Sequence, residues 1–312
     1  MGILQYFIYL SVLVMVGGIW YKAIRFARMP LHLRWELYKM PNGKKRGKYG
    51  GSYFEEIDWW TKPSNHSFFL ELREMMKEIL LIKTLYRHNR SLWIFSFPLH
   101  LGLYLLIGFG FLLIVGGILI LSGLSVTQNS ANILSKSVYY LTIAFAVSGS
   151  MLGIIGASGL FVRRAFDREL RLFSAWTDYF NLLLLLAISA CLLAGWATSD
   201  GSLDLLRAYT VALISIGQAP VMPGILQITL GLVSFFFLYF PFTHMSHFIG
   251  KYFAFHKVRW DDRASAAGNK IEAGVKEALS KKLNWSGSHV KAGMTWKQAT
   301  TDFNPKAEDD KR

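Results

Sequence analysis

The chain has 312 residues, 34 Lys plus Arg against 20 Asp plus Glu, and a net charge of +14. Only 17% of its residues are charged and 53% are apolar, where a soluble domain carries about 25% charge. That deficit argues against a soluble enzyme, a nucleic-acid binder or a disordered chain, and a membrane topology accounts for the basic excess.

The charges are absent from whole stretches: 1–21, 91–135, 137–162, 179–199 and 208–250. Uncharged apolar runs of about 18 or more residues read as membrane spans. Span one covers 3–21. The first five residues hold no Lys or Arg and no small-residue cleavage site follows, so it reads as a retained helix rather than a signal peptide. Span two covers 92–121, span three 138–162, span four 179–198 and span five 225–250. The predicted fold is an all-α membrane protein, a bundle of five transmembrane helices occupying 1–252, followed by a basic tail at 253–312 that docks a partner or stays mobile.

The loops set the orientation. Residues 22–90 hold 15 Lys/Arg, the turn 163–172 holds four and the tail from Lys251 holds 13. The two other connections hold one each, Lys136 and Arg207. The positive-inside rule then puts the N-terminus outside and the C-terminus in the cytoplasm. Within the first loop, 67–87 reads as an amphipathic helix. Phe68, Leu72, Met75, Met76, Ile79, Ile82 and Tyr86 share one face, and Glu71, Glu74, Lys77 and Glu78 the other. It serves either as local support for span two or as a docking surface. A short outer helix is expected at 203–216, and Pro220 and Pro223-Gly224 open span five.

The single cysteine, Cys191, allows no intrachain disulfide, and it cannot hold an iron–sulfur cluster, which takes about four ligands. Of eight histidines, His32, His66, His88, His256 and His289 lie in polar segments and read as solvated. His100, His244 and His247 lie in apolar ones, and an intramembrane ionisable side chain is a functional candidate by default. The alternative is a histidine hydrogen-bonded to a neighbouring helix. His100 sits ten residues after Arg90, and His247 four residues before Lys251. At ~1.5 Å per residue both fall in the cytoplasmic half of the bilayer on antiparallel helices. One imidazole from each of two bundle helices is the arrangement for axial haem ligation. Zinc or copper wants three or four protein ligands, and no intramembrane carboxylate lies nearby. His244, one helical turn from His247, is the rival ligand.

The run YFPFTHMSH at 239–247 resembles the fifth-helix signature of the respiratory nitrate reductase gamma subunit family, which includes the cytochrome b subunits of heterodisulfide reductase and of sulfite-reduction complexes. Segment 93–105 with His100 resembles its second helix, FVRR at 161–164 the end of its third, TDYF at 177–180 the start of its fourth, and PVMPG at 220–224 the approach to its fifth. The likeness spans about 60–252 in the right order. It implies a quinone-linked module passing electrons through haem b to a cytoplasmic iron–sulfur subunit of the heterodisulfide reductase type. That module sits in a prokaryotic inner membrane, among membrane lipids and further subunits of a respiratory complex. It implies His100 and His247 as axial ligands, with the spacing from the Phe-Pro-Phe favouring His247 over His244. Arg164, with Arg163 beside it, would meet a haem propionate, or both would serve as ordinary positive-inside anchors.

Members of that family hold two haems. The second pair of ligand positions corresponds here to Gly110 and Thr229, neither of which ligates iron, so one haem b is expected. The vacated volume is either closed by Phe109, Phe111, Phe235, Phe236 and Phe237, or left as a quinone slot beside Gly108, Gly110, Thr229 and Gly231, with menaquinone as the expected quinone. Lys136 lies near the position of a quinol-site lysine in the nitrate reductase relative, and equally fits a lysine snorkelling to the interface. Two rival readings remain. One is a haem-free anchor for a cytoplasmic redox enzyme. The other is a transporter with histidine relays, weakened by the lack of internal repeats and paired broken helices.

Overall fold

The computed structural model describes residues 2–28, 68–254, 268, 270–287 and 290–301. It is helical, with only two isolated β-bridges among the described residues. Five helices are long and apolar enough to cross a membrane: α1 Ile3–Ala27, α4 Arg90–Leu121, α5 Ile133–Phe166, α7 Trp176–Thr198 and α9 Gly224–Tyr239, whose span continues through a 3₁₀ turn to Phe242. Between and around them lie α2 Phe68–Leu81, α3 Lys83–His88, α6 Arg168–Leu172, α8 Asp204–Ile214, α10 His247–Ala254, α11 Lys270–Ser280 and α12 Trp296–Thr301. The chain is a multi-pass membrane protein. Ile107, Phe111, Ile118, Ile133 and Ile155 are exposed along its long helices, the surface that hydrocarbon covers.

The residues divide into two compact units, one of 1–19 and 76–246, the other of 20–75 and 247–312. In the first, α4 and α5 pack antiparallel along a seam of glycines. A Cβ on Gly102 would stand 2.7 Å from the Gly153 nitrogen and 2.8 Å from the Gly149 carbonyl oxygen, and Gly156 and Gly159 abut Leu99 and Phe95. Small residues let backbones approach where lipid supplies no hydrophobic drive. α5 then meets α7 through Gly153 against Ser189, and α7 meets α9 through Gly195 against Leu226. Three apolar clusters fill the interior, one around Phe109, Leu192, Leu206 and Leu226, a second around Leu99, Ala157, Leu160 and Leu182, and a smaller one around Val126, Val138 and Tyr139. Buried hydroxyls turn inward on their own helices, as when Thr229 donates to the Ile225 carbonyl and Ser234 to that of Leu230.

Asparagines start two spans. The Asn89 side chain accepts from the Leu92 N–H, and Asn132 from those of Leu134 and Ser135. Span three runs further than its uncharged core, to Phe166, because Arg163 and Arg164 continue the helix. Asp167 then ends it and caps α6, accepting from Glu169 and Leu170.

Three expectations change. The amphipathic segment 67–87 is two helices, broken at Ile82, which is buried with φ 48°. Glu78, expected on the polar face, instead accepts from the Thr84 N–H and hydroxyl and so caps α3. Tyr104 donates to the Ile79 carbonyl and Trp93 to that of Leu81, which ties the segment to α4 as a support for span two. The fifth span stops well before 250. Pro241 has no N–H to continue the helix, the chain passes through a 3₁₀ turn at Phe240–Phe242, and Thr243 is extended. A second 3₁₀ turn, His244–Ser246, precedes α10. His244 and His247 therefore do not share one face of a continuous membrane helix. Finally, the outer helix is shorter than 203–216, starting after Leu203, whose φ of 58° leaves the α region.

In the second unit, Phe26 of α1 stacks on Phe253 of α10, centroids 6.2 Å apart. The tail holds local structure: Leu283 and Val290 are buried, and Trp285 meets Trp296 edge-on at 6.5 Å.

Candidate functional site

His100 lies mid-turn in α4, one residue beyond the buried Leu99 of the second cluster. Its Nδ1 is 2.7 Å from the Ser96 carbonyl oxygen. A carbonyl only accepts, so Nδ1 donates in this contact. Pro98, two residues earlier, supplies no N–H, so the Ile94 carbonyl has no donor four residues on.

At the end of the bundle where α5 stops and α7 starts, four charged or polar side chains meet. Asp178, in the first turn of α7, accepts from the Ala175 N–H at 2.9 Å. Its carboxylate also faces Arg164 at 3.8 Å and His244 Nε2 at 3.3 Å. Arg164 donates to the Ser174 hydroxyl at 2.8 Å, and Tyr179 donates to the Arg164 carbonyl. Arg163 pairs with Asp167 at 3.1 Å, while its Nε is buried with no hydrogen-bond partner among the described residues. One turn inward, the Tyr239 hydroxyl donates to Asn181 Oδ1 at 2.9 Å, leaving the buried Asn181 Nδ2 without a partner there.

The expected residues are thus partly gathered. Arg164 and His244 come together, on Asp178. The His244 side chain is 60% exposed. His247 opens α10 in the second unit and is exposed. The residues of the expected slot differ in their surroundings. A Cβ on Gly110 meets nothing within 4 Å, Thr229 is buried with its hydroxyl satisfied, and Gly108 already abuts Phe145. Of the phenylalanines, Phe109 is buried in the core while Phe111 is exposed. Lys136 is exposed in the first turns of α5. His88 bonds the Thr84 carbonyl on the surface, and His32, His66, His256 and His289 lie outside the described residues. Among the described residues no three His, Cys, Asp or Glu side chains converge as metal ligands.

Sequence reasoning missed two groups. Asp178 entered only as part of a motif, although an acid opening an uncharged span is itself a signal. Arg207 was counted as a loop charge, yet it is 1% exposed. It pairs with Asp204, donates to the Ser202 carbonyl at 2.8 Å and lies 4.9 Å over the Tyr139 ring. Burial lowers its pKa from the usual arginine value, and Asp204 opposes that shift. The i, i+3 spacing of Asp204 and Arg207 on one short helix was the available clue.

The fold and these sites define a five-span, all-α membrane protein with a polar cluster at its arginine-rich end. The chain matches no protein-family model, no curated protein and no solved structure.

Proposed function

We propose that the chain is the cytochrome b membrane subunit of a quinone-linked respiratory complex in a prokaryotic inner membrane. It holds one haem b and passes electrons between menaquinone and a cytoplasmic iron–sulfur subunit of the heterodisulfide reductase type. The observation that carries the reading is the His100 imidazole. With Nδ1–H held by the Ser96 carbonyl, the ring orientation is set by its own helix, and Nε2 is the nitrogen that would take iron. His247 is the second ligand, and the Asp178 carboxylate on His244 Nε2 favours it over His244.

The arginine-rich end fits a haem carboxylate as well. Arg163 Nε is a buried donor with no protein acceptor among the described residues, the kind of group a propionate satisfies. Arg164 adds a second cation, already oriented by Ser174. Bound there, haem supplies reversible one-electron chemistry. The protein supplies orientation, a low-dielectric surround and charge compensation at the membrane edge. Gly110 and Thr229 offer no nitrogen to a second iron, which supports a single haem.

A reduced-minus-oxidised spectrum and a pyridine haemochrome assay of the purified chain test this. One haem b per chain is expected, lost in His247→Ala and kept in His244→Ala. Absence of any haem b band would leave the chain as an anchor for a redox enzyme. Two haems per chain would overturn the single-site reading, and a reversed response of the two variants would reassign the ligand.

A further inference from the structure

At the opposite end of the first unit a cavity of about 680 Å³ opens between the first turns of α1, α8 and the segment leading into α9. Drug-sized and cofactor-sized ligands occupy sites of roughly 300–1,000 Å³. Most of its lining is apolar, including Ile3, Leu4, Phe7, Pro220 and Met222. Val221, also in the lining, is 93% exposed, so the cavity reaches the molecular surface. That surface belongs to the start of a membrane helix.

The polar groups of the lining are unequal. Gln5 is fully committed: its Oε1 accepts from the Gly2 N–H, and its Nε2 donates to the Gly217 carbonyl, both at 3.0 Å. Gln227 Nε2 donates to the Met222 carbonyl at 2.8 Å. Tyr209 differs. It is 4% exposed, it lines the cavity, and its hydroxyl has no hydrogen-bond partner among the described residues. Nearby Tyr9 spends its own hydroxyl on the Leu213 carbonyl. A buried phenol hydroxyl with no partner among the described residues, in a mostly apolar wall, is a donor waiting for an acceptor.

We propose that this cavity binds a membrane-soluble amphipath whose carbonyl head accepts a hydrogen bond from the Tyr209 hydroxyl while its apolar body lies along Ile3, Leu4 and Phe7. Isoprenoid quinones and glycerolipid esters share that chemistry. The site stands on its own geometry and needs only that the chain lies in a membrane, not that it carries haem.

The test uses the full chain in nanodiscs and two photoactivatable probes, an azido-menaquinone of short side chain and a diacyl phosphatidylglycerol with a diazirine near its ester. Labelled peptides are mapped by mass spectrometry. Labelling of 2–7 or 218–227 by the quinone probe assigns the site to quinone, and by the lipid probe to a structural lipid, and either supports the proposal. Tyr209→Phe removes the donor and keeps the ring. It should weaken labelling about five-fold, the effect of one neutral hydrogen bond, and the unliganded variant should melt no lower than the parent. Ala219→Phe, which fills the cavity from another wall, should abolish labelling by volume alone. Labelling elsewhere, or labelling indifferent to both variants, overturns the proposal. Haem content measured on the same samples keeps its failure distinct from that of the cytochrome reading.

Discussion

The close approach of α4 and α5 is the contact that positions His100, and Gly102 tests it. An alanine there puts a Cβ 2.7 Å from the Gly153 nitrogen and 2.8 Å from the Gly149 oxygen. Both are backbone atoms on a long helix, so no side chain can rotate away. Ordinary contact begins near 3.4 Å, and α5 must retreat by about 0.7 Å to restore it. Overpacking of this kind costs about 1–3 kcal/mol. Alanine also favours the helix over glycine by about 0.5–1 kcal/mol, which masks part of the loss. Gly110 on the same helix provides the correction, because a Cβ there meets nothing within 4 Å. The propensity gain then cancels in the comparison of Gly102→Ala with Gly110→Ala. What remains is the steric cost, about 1–3 kcal/mol or roughly a 5- to 150-fold shift in the unfolding equilibrium. Reversible denaturant unfolding in mixed micelles, followed by tryptophan fluorescence, measures it. Equal stabilities for the two variants would refute the glycine seam and with it the packing of α4 on α5.

Further outcomes are expected. Arg207→Met removes a buried cation but leaves Asp204 partly solvated, its side chain 58% exposed. The variant should lose about 1–3 kcal/mol, less than a fully buried pair would, in the same unfolding assay, and Asp204→Asn, which leaves the buried guanidinium short of its countercharge, should lose more than Arg207→Met. In α11 a hydrogen bond from Lys276, then one from the Gly268 N–H, holds the Glu272 carboxyl below its ordinary value near 4.5. Its support for the helix is therefore complete above that ordinary value and is lost as the pH falls through the lowered one. Amide exchange across 270–280, corrected for intrinsic rates, should show protection falling in that acid range, and Glu272→Gln should flatten the dependence. Asp178→Asn should leave α7 folded but release His244 from the ion-pair contact, read as a change in the chemical shifts of the His244 ring by NMR.

The histidines show how far residue pattern reaches and where it stops. His100 was legible because a polar ring in a charge-free helix stands out, and its depth followed from counting residues after Arg90. The relation of His244 to His247 was not. Regular helix was assumed past Pro241, and a missing N–H followed by an extended Thr243 replaces it with two 3₁₀ turns. The quinone slot expected at Gly110 and Thr229 rests on a related assumption. Small residues in two spans signal space only if they face each other, and facing is a property of helix rotation that hydropathy does not carry. The Arg207 pair stayed hidden because composition counts a charge without saying whether it is solvated.

Sequence by itself determined the all-helical class, the number of membrane helices and the sorting of nearly all the basic residues to the connections on one side. Those follow from the length of uncharged apolar runs, since a bilayer penalises each unpaired charge and each unsatisfied backbone group one segment at a time. Only the tertiary structure decided that Asp178 gathers Arg164 and His244, that the α4–α5 contact runs along glycines, and that Tyr209 lines a cavity with its hydroxyl unpaired among the described residues. Each of these depends on which faces of separate helices meet, and that is set by packing between segments distant in the chain.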